Sequence, residues 1–386
     1  MRVGDAAVVG LILQADQVVF RDGPACPGWV RVSGEAIVDA GTGPVPDDAG
    51  AAQIRHLGEV TLAPGFVDMH VHGGGGAAFT EGTEAARVAR AAHLAHGTTT
   101  MVASLVSDTI EQLEHQVAEL AGLAETGELA GIHLEGPWLS EVRCGAHDPG
   151  LLRDPLLADV NRLLDAGRGH VRMVTLAPER AGALEAIRTL CDRGVLAAVG
   201  HTDATDSQTR AALDAGARVA THLFNTMPSL HHREPGPIPQ LLADPHVTVE
   251  LIADGVHVHP SVLRMAVCAA RGRFALITDA MAAAGHPDGS YRLGPLDVDV
   301  VDGVARIRDT GAIAGSTLTL DQAVRFAVTQ AQIPLEVAVR AASSTPARAL
   351  GRADIGRIAR GTRADLVVLD EKLSVQAVLH GGRWVE

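Results

Sequence analysis

Two histidines separated by one residue, His70 and His72, end the apolar run LAPGFVDMHVH. Side chains alternate between the two faces of a β-strand, so residues i and i+2 point the same way. Both imidazoles are therefore expected to project from the end of one strand toward a common site. A His-x-His pair alone is a weak indication of a metal site, and further ligands are needed to support it.

Four more side chains that can bind metal end other apolar runs. They are Glu135 in HLEGPW, His201 in VGHTDA, His222 in ATHLFN and Asp279 in LITDA. Any one of them alone is equally explained as a helix cap or as a hydrogen-bond partner of a neighbour. Six such residues in phase with successive runs make coincidence improbable. Imidazole and carboxylate ligands suit zinc, iron(II), manganese or cobalt, and the sequence does not choose among these metals.

Other histidines are assigned by their positions. His133 lies two residues before Glu135 and faces the same way, so we expect it deeper in the fold, supporting the site or packing beside it. His93, His96 and His115 lie on segments of helical character and are expected to face solvent.

The six candidate ligands fall at the ends of a repeating pattern of apolar runs. Most runs are separated by amphipathic segments such as EAARVARAAHLAHG and TIEQLEHQVAELAGLAE. Runs without polar alternation suit parallel strands that are buried on both faces. The repeat predicts an α/β fold with a closed (β/α)8 TIM barrel, whose site lies at the C-terminal ends of the strands. The eight runs are LAPGFVDMHVH, TTTMVASLVS, LAGIHLEGPW, VRMVTLAPE, VLAAVGHTDA, RVATHLFNTM, VTVELIADGVHV and FALITDAMA.

Both ends of the chain have β-type patterns without helical periodicity. We expect residues 1–62 and 351–386 to pair in a small β-sandwich, and residues 63–350 to form the metal-dependent barrel. The segment YRLGPLDVDVVDGVARIRD predicts a β-hairpin insertion after the eighth strand. Residues 6–13, AAVVGLIL, are interpreted as a buried strand rather than a signal peptide, because no small-residue cleavage site follows.

Composition excludes several classes of function. The 386 residues are 47% apolar and carry a net charge of −14, which argues against binding to nucleic acid or to an anionic membrane. The four cysteines are far apart in sequence, so neither a disulfide framework nor a cysteine zinc site is expected. No apolar run approaches the length of a membrane span, and we expect a soluble, cytoplasmic protein.

Seven motifs in order along the chain resemble the amidohydrolase superfamily and, within it, the N-acetylglucosamine-6-phosphate deacetylases. The resemblance covers nearly the whole chain. It implies that Glu135, His201 and His222 hold the metal that is always present. His70 and His72 match the members that hold a second metal, so two divalent metals bridged by Glu135 are expected. The motifs are PGFVDMHVHGGGG, HLEGPWLS, GHTDAT, THLFNTMPSLHHREPG, IADGVHV, ITDAMAAAG and IAGSTLTL.

The lysine content supports a carboxylate bridge independently. Many binuclear relatives bridge their metals with a carboxylated lysine on the fourth strand. The only lysine of this chain is Lys372, which lies in the C-terminal tail outside the predicted barrel. A carboxylate must therefore bridge the metals, and Glu135 is placed to do so.

The resemblance also implies an activity, the hydrolysis of the acetamide of N-acetylglucosamine 6-phosphate. A bound divalent metal lowers the pKa of water from about 15.7 to about 7, which makes hydroxide available for attack on the carbonyl. Asp279, a metal ligand as well, is expected to take the water proton as general base and to pass it to the departing amine as general acid.

Substrate contacts follow from the same resemblance. His257 and Arg233 are expected to contact the phosphate, with Asn225 and Thr226 beside them, and His147 is expected to contact the sugar. In the family the arginine comes from the neighbouring subunit, which implies a homodimer. An arginine binds phosphate through two parallel hydrogen bonds.

Alternatives remain open. The enzyme can instead act on N-acetylgalactosamine 6-phosphate or on a cyclic amide, or the barrel can be a scaffold without catalysis, which the six intact ligands disfavour. Cys144 is an ordinary loop cysteine or a reactive thiol, and Trp138 lines the acetyl pocket or packs in the core. The glycines at 73–76 lack the GK[ST] ending of a phosphate-binding loop and are expected to leave room for substrate.

Overall fold

A computed structural model describes residues 10–20, 23–47 and 52–385. The chain begins with four strands that belong to one mixed sheet. β1 pairs antiparallel with β2 and parallel with β4, while β3 extends the edge beyond β2. Residues 11–13 of the segment 6–13 lie in β1, as expected of a strand, whereas residues 6–9 lie outside the described residues. The strands are β1 (Leu11–Val18), β2 (Cys26–Ser33), β3 (Ala36–Thr42) and β4 (Gln53–Pro64).

Strands and helices then alternate through the barrel. Eight parallel strands form one sheet, hydrogen-bonded in the order β14-β13-β12-β11-β10-β9-β8-β5. The eight predicted runs are therefore confirmed as strands. In chain order the elements are β5 (Phe66–Val71), β6 (Gly73–Gly74), β7 (Ala77–Ala78), α1 (Thr83–Ala95), β8 (Thr98–Leu105), α2 (Ile110–Glu125), β9 (Gly131–Glu135), α3 (Leu157–Ala166), β10 (Val171–Leu176), α4 (Ala183–Asp192), β11 (Leu196–Val199), α5 (Asp206–Ala215), β12 (Val219–Ala220), α6 (Ile238–Ala243), β13 (Thr248–Ile252), α7 (Pro260–Ala270) and β14 (Phe274–Ile277).

Burial explains why the strand runs show no alternation. Every residue of β5 and of β9 is buried, because one face lines the barrel interior and the other packs against helices. The two strands at the ends of the sheet order, β5 and β14, are joined by a buried carboxylate. Thr278 donates its hydroxyl to Asp68 Oδ2 at 2.6 Å, and the Asp279 amide donates to the carbonyl of His70 at 2.9 Å.

The insertion after β14 is larger than the predicted hairpin. It forms a three-stranded antiparallel meander, in which β17 adds to the hairpin of β15 and β16. Its apolar face packs with Val106 and Met281 near the mouth of the barrel. The remaining elements are β15 (Gly289–Leu293), β16 (Leu296–Val301), β17 (Val304–Ile307), α8 (Leu320–Thr329), α9 (Leu335–Ala341), α10 (Ser344–Ala349), β18 (Leu366–Leu369), β19 (Val375–His380) and β20 (Arg383–Trp384).

The C-terminal strands return to the first sheet, because β18 pairs antiparallel with β4. The complete sheet has the order β20-β19-β18-β4-β1-β2-β3, with a core of its own that includes Leu13, Ile37 and Leu366. The predicted class, a TIM barrel with a second β-domain made from both termini, is therefore confirmed. The domain boundaries at 62 and 350 stay a prediction. In the described part of the chain, no helix has the length and apolar character required to cross a membrane.

Candidate metal centre

The six candidate ligands meet at one end of the barrel. His70 lies in β5 with His72 just beyond it, and Glu135 is the last residue of β9. The other three, His201, His222 and Asp279, each follow the last residue of a strand by two positions. All six are buried, with at most 7% of the residue surface exposed. The carboxyl ends of the strands thus bring together what the sequence had placed in separate motifs.

Three of these residues adopt left-handed backbone conformations. The φ angles are 46° for His201, 27° for His222 and 49° for Asp279. Residues other than glycine rarely adopt this region, and doing so costs about 1–3 kcal/mol each. Such residues persist at functional sites when the surrounding fold holds them. The strained turn lets each side chain leave its strand end and face the shared centre.

Four residues form the first part of the centre. His70 Nε2 lies 3.1 Å from His72 Nε2 and 3.4 Å from Glu135 Oε1. Asp279 Oδ1 is 3.3 Å from the Nε2 atoms of both His70 and His72. One ligand atom from each of the four residues lies within 4.8 Å of all the others.

Glu135 connects this group to the second part. Its Oε1 atom is 3.1 Å from His201 Nε2 and 3.0 Å from His222 Nε2, while its Oε2 atom is 3.2 Å from His72 Nε2. The Nε2 atoms of His201 and His222 are 3.0 Å apart. Glu135 therefore lies between two groups of histidines, the position expected of a bridging carboxylate.

The chemistry of these donors fits a divalent cation. In two places a pair of imidazole nitrogens face each other at hydrogen-bond distance, and a cation between them would use both lone pairs. Burial opposes ionisation of Glu135, but His70 and His201 outweigh it and hold the pKa of Glu135 well below its usual range. Burial likewise opposes ionisation of Asp279, yet neighbouring histidines lower its pKa to about 2. Both carboxylates are ionised, as metal ligation requires.

Two ligating histidines have their other ring nitrogen occupied. His201 Nδ1 is 3.0 Å from the carbonyl of Arg143, and His70 Nδ1 is 3.1 Å from Glu250 Oε2. A hydrogen bond at one imidazole nitrogen fixes the tautomer and leaves the other nitrogen free to bind metal. Burial lowers the pKa of His201 to about 4, so its ring is neutral.

Glu250 was not identified from the sequence. It lies in β13 within the run VTVELIAD and is completely buried. The available signal was the residue type itself, because a carboxylate in a buried apolar strand is costly unless it has partners.

A layer of polar side chains lies below the ligands. His133 Nδ1 is 2.9 Å from the hydroxyl of Ser104, and its Nε2 is 2.8 Å from the hydroxyl of Thr175, which also contacts Thr221 at 2.8 Å. The rings of His133 and His70 pack edge to face at 4.5 Å. Burial lowers the pKa of His133 well below its usual value. His133 thus supports the site and packs beside it.

His147 lies on the wall of the pocket above the centre. The amide of Ser107 donates to His147 Nδ1 at 3.2 Å, and His147 Nε2 is 3.4 Å from Glu135 Oε2. Because Nδ1 accepts a hydrogen bond, the neutral ring carries its proton on Nε2. His147 therefore presents an N–H group to Glu135 and to the pocket, and its contact with a sugar stays a prediction.

The pocket has a volume of about 260 Å³ and combines a polar floor with an apolar wall. The wall is formed by Val106 together with residues of the insertion and the loop after it, and the candidate ligands form the floor. The described lining contains no lysine or arginine. The lining residues are His72, Val106, Glu135, Gly145, Ala146, His147, His201, His222, Asn225, Thr226, His257, Asp279, Leu293, Ala312, Ile313 and Gly315.

The predicted phosphate contacts divide into two groups. Asn225, Thr226 and His257 line the pocket. Arg233 instead lies on an exposed loop, where its guanidinium is 2.7 Å from the ring of His232. Arg233 is absent from the described pocket lining, and its contact with the phosphate stays a prediction.

His257 is held by a carboxylate. Its Nδ1 atom is 2.6 Å from Asp254 Oδ2, and the Asp254 carboxylate also accepts the amides of Val256 and His257. Burial lowers the pKa of His257, but Asp254 outweighs this effect and raises the pKa above its usual value. Asp254 thus favours the protonated form of His257, which faces a pocket whose described lining contains neither lysine nor arginine.

Two expectations need correction. His93 was expected to face solvent but is 1% exposed, because it continues the buried stripe of Ala86 and Ala89 on α1. Its Nε2 atom lies 2.9 Å from the carbonyl of Gly73. The glycine run therefore does not leave room for substrate; a Cβ at Gly74 would lie 2.8 Å from the His93 ring, so the glycines allow close packing.

One open assignment is decided. Trp138 is completely buried in the main apolar core and is absent from the pocket lining, so it packs in the core. His115 is exposed as expected, whereas the expectation that His96 faces solvent needs correction, because His96 is half-buried and contacts Asp321 at 3.2 Å. Cys144 is half-buried on the loop before His147.

Comparison with known proteins agrees with this geometry. The model of the amidohydrolase family matches residues 61–385. A solved structure of N-acetyl-D-glucosamine-6-phosphate deacetylase from Mycobacterium smegmatis has a TM-score of 0.93 and 52% identity, covering 97% of this chain and 100% of that chain. The N-acetylgalactosamine-6-phosphate deacetylase of Escherichia coli O157:H7 is 36% identical over 95% of this chain and 97% of its own length. The N-acetylglucosamine-6-phosphate deacetylase of Vibrio furnissii is 38% identical over 85% of this chain and 84% of its own length.

Proposed function

This chain belongs to the amidohydrolase family, and we propose that it hydrolyses N-acetylglucosamine 6-phosphate to glucosamine 6-phosphate and acetate. The observation that carries the proposal is the buried cluster in which Glu135 lies between two groups of histidines, with Asp279 beside them. The likeness to the Mycobacterium smegmatis deacetylase over nearly the whole of both chains supports the choice of substrate.

The distances between the side-chain atoms divide these residues between two metal positions. Glu135, His201 and His222 would hold one divalent ion, and His70, His72 and Asp279 would hold a second with Glu135 shared between them. A divalent ion bound there would polarise the acetamide carbonyl and lower the pKa of water.

Asp279 is the residue that moves the proton. It is ionised, with a pKa lowered to about 2, and its Oδ1 atom faces the histidines at the floor of the pocket. It accepts a proton from the attacking water and returns it to the amine nitrogen as the C–N bond breaks. The new C–O bond completes acetate, so one water is consumed for each amine released.

The polar pocket residues orient the sugar phosphate. His147 donates its Nε2–H to the substrate, because its Nδ1 is already occupied by the Ser107 amide. His257, whose protonated form Asp254 favours, binds the phosphate with Asn225 and Thr226 beside it. Since the described lining has no guanidinium, we propose that Arg233 of the neighbouring subunit of a homodimer supplies one.

Acetate release from N-acetylglucosamine 6-phosphate tests the proposal. We expect release by the wild type, loss of release after chelation and recovery on addition of a divalent metal. Asp279→Asn, of nearly the same size, should still bind substrate, with turnover lower by about 10²–10⁴-fold. A metal-loaded wild type that releases no acetate, or an Asp279→Asn variant with near-normal turnover, contradicts the proposal.

A second substrate has a specific observation in its favour. The Escherichia coli relative, similar over 95% of this chain, is a deacetylase of N-acetylgalactosamine 6-phosphate. The two sugars differ only in the orientation of the 4-hydroxyl. The ratio of kcat/KM for the two phosphorylated sugars therefore discriminates between the candidates, and a ratio that favours the galactose epimer would replace the first.

A further inference from the structure

We infer that Glu250 is a positioning residue that makes His70 a metal ligand and so determines whether the centre holds a second metal ion. Glu250 projects from β13 into the barrel and is completely buried. Its Oε2 atom is 3.1 Å from His70 Nδ1 and also accepts the amide of His222 at 3.3 Å. It belongs to neither group of candidate ligands.

The contact fixes the state of the His70 ring. When Nδ1–H is donated to Glu250, the Nε2 lone pair points to the space between His72, Glu135 and Asp279. A carboxylate acceptor also makes the imidazole a stronger ligand than a neutral acceptor does. Glu250 thus acts on the ring from the side opposite the metal position.

Glu250 contacts a ligand ring in only one half of the described centre, since its contact in the other half is with the main-chain amide of His222. His201 has the carbonyl of Arg143 at its Nδ1, whereas the Nδ1 atoms of His72 and His222 have no hydrogen-bond partner within the described chain. In this part of the protein, His70 is the candidate ligand whose second nitrogen faces a charged acceptor. Removing that charge should weaken the His70 position more than the position of Glu135, His201 and His222.

Metal binding, measured without substrate, tests this inference. It rests on the proposed function only for the metal centre. Metal-free protein is titrated with Zn²⁺ by calorimetry, and bound zinc is counted by mass spectrometry after gel filtration. The wild type should bind two equivalents. Glu250→Gln keeps the size and an acceptor oxygen but loses the charge, so the second equivalent should bind about 10–100-fold more weakly while the first is unchanged.

Three further variants separate positioning from damage to the fold. Asp68→Asn removes another completely buried carboxylate, one that contacts the main chain of His70 but not its ring, and should retain both equivalents. In a His70→Ala background, Glu250→Gln should have no further effect on zinc binding, because coupled residues are not additive. Glu250→Leu should lose the second equivalent altogether.

The outcomes are distinguishable from those of the proposed function. Two equivalents bound by Glu250→Gln or Glu250→Leu with wild-type affinity overturn the inference, as does a wild type that binds only one. Equal weakening by Asp68→Asn or an additional loss in the His70→Ala background also overturns it. A protein that binds two metals as expected but releases no acetate contradicts the proposed function and leaves the role of Glu250 intact.

Discussion

His257 shows how one carboxylate sets the charge of a binding residue. Asp254 is itself fixed by two backbone amides and contacts His257 Nδ1 at 2.6 Å, which leaves the Nε2–H group for the pocket. Asp254 raises the pKa of His257 above its usual value and so extends the pH range over which the imidazole is positively charged. The charge is present below that raised pKa and is lost as the pH rises through it.

Asp254→Asn should therefore weaken phosphate binding in a pH-dependent way. Without the carboxylate, burial lowers the pKa of His257, so the positive charge is lost at a lower pH than in the wild type. A charged hydrogen bond contributes about 1.5–3 kcal/mol, so KM at neutral pH should rise about tenfold or more. KM and kcat are measured from acidic to alkaline pH with phosphorylated and unphosphorylated substrate. A KM profile identical to that of the wild type would exclude this role of Asp254.

At the residue scale, the sequence predicted which candidate ligands lie together better than it predicted the residues that support them. His70, Glu135 and Asp279 could be found because strand phase and motif spacing put them at strand ends. Glu250 and Asp254 act through other side chains, and their partners come from different elements. Such pairings depend on three-dimensional contacts, which one-dimensional periodicity does not contain.

At the scale of elements, periodicity predicted the barrel, but it did not predict the third strand of the insertion or the buried face of helix α1. The eight strands were recognised because both of their faces are buried, which removes polar alternation. The sequence predicted a two-stranded hairpin where the structure has three strands. The residue pattern of β17 does not differ from that of the first two strands, so it did not indicate a third antiparallel strand. The expectation that His93 faces solvent was wrong. An imidazole can lie on the buried face of a helix when it hydrogen-bonds to a backbone carbonyl, as His93 does with Gly73.

Helix α5 illustrates a local signal that both predicts and stabilises an element. Thr205 caps the helix by accepting the amide of Gln208, and the Gln208 side chain accepts the amide of Thr205 at 2.9 Å. Thr205→Ala should lower the free energy of unfolding by about 1 kcal/mol, measured by urea denaturation. Thr205→Ser keeps the hydroxyl and is the matched control. Turnover should not change, because Thr205 is exposed and absent from the pocket lining; equal stability of the alanine and serine variants would contradict the capping role.

At the scale of the whole molecule, charge is the argument for the proposed contact between the substrate phosphate and a second subunit. The chain has a net charge of −14, and its pocket lining has no described lysine or arginine, yet the proposed substrate carries a phosphate. The exposed position of Arg233 gives it no contact with its own pocket. The sequence alone would assign Arg233 to a solvated loop, because an interface between copies leaves no periodic pattern in one chain.

A mixed dimer tests whether Arg233 acts across subunits. Arg233→Ala should raise KM for the phosphorylated sugar far more than for the unphosphorylated sugar, and Asp279→Asn should abolish turnover. A heterodimer of the two variants, purified through two different tags, contains one site with both native residues if Arg233 acts on the neighbouring subunit. It should then show about half of the wild-type activity per dimer at low substrate concentration. If Arg233 acts on its own site, no site in the heterodimer is complete, and activity should stay at the level of the Arg233→Ala subunits alone.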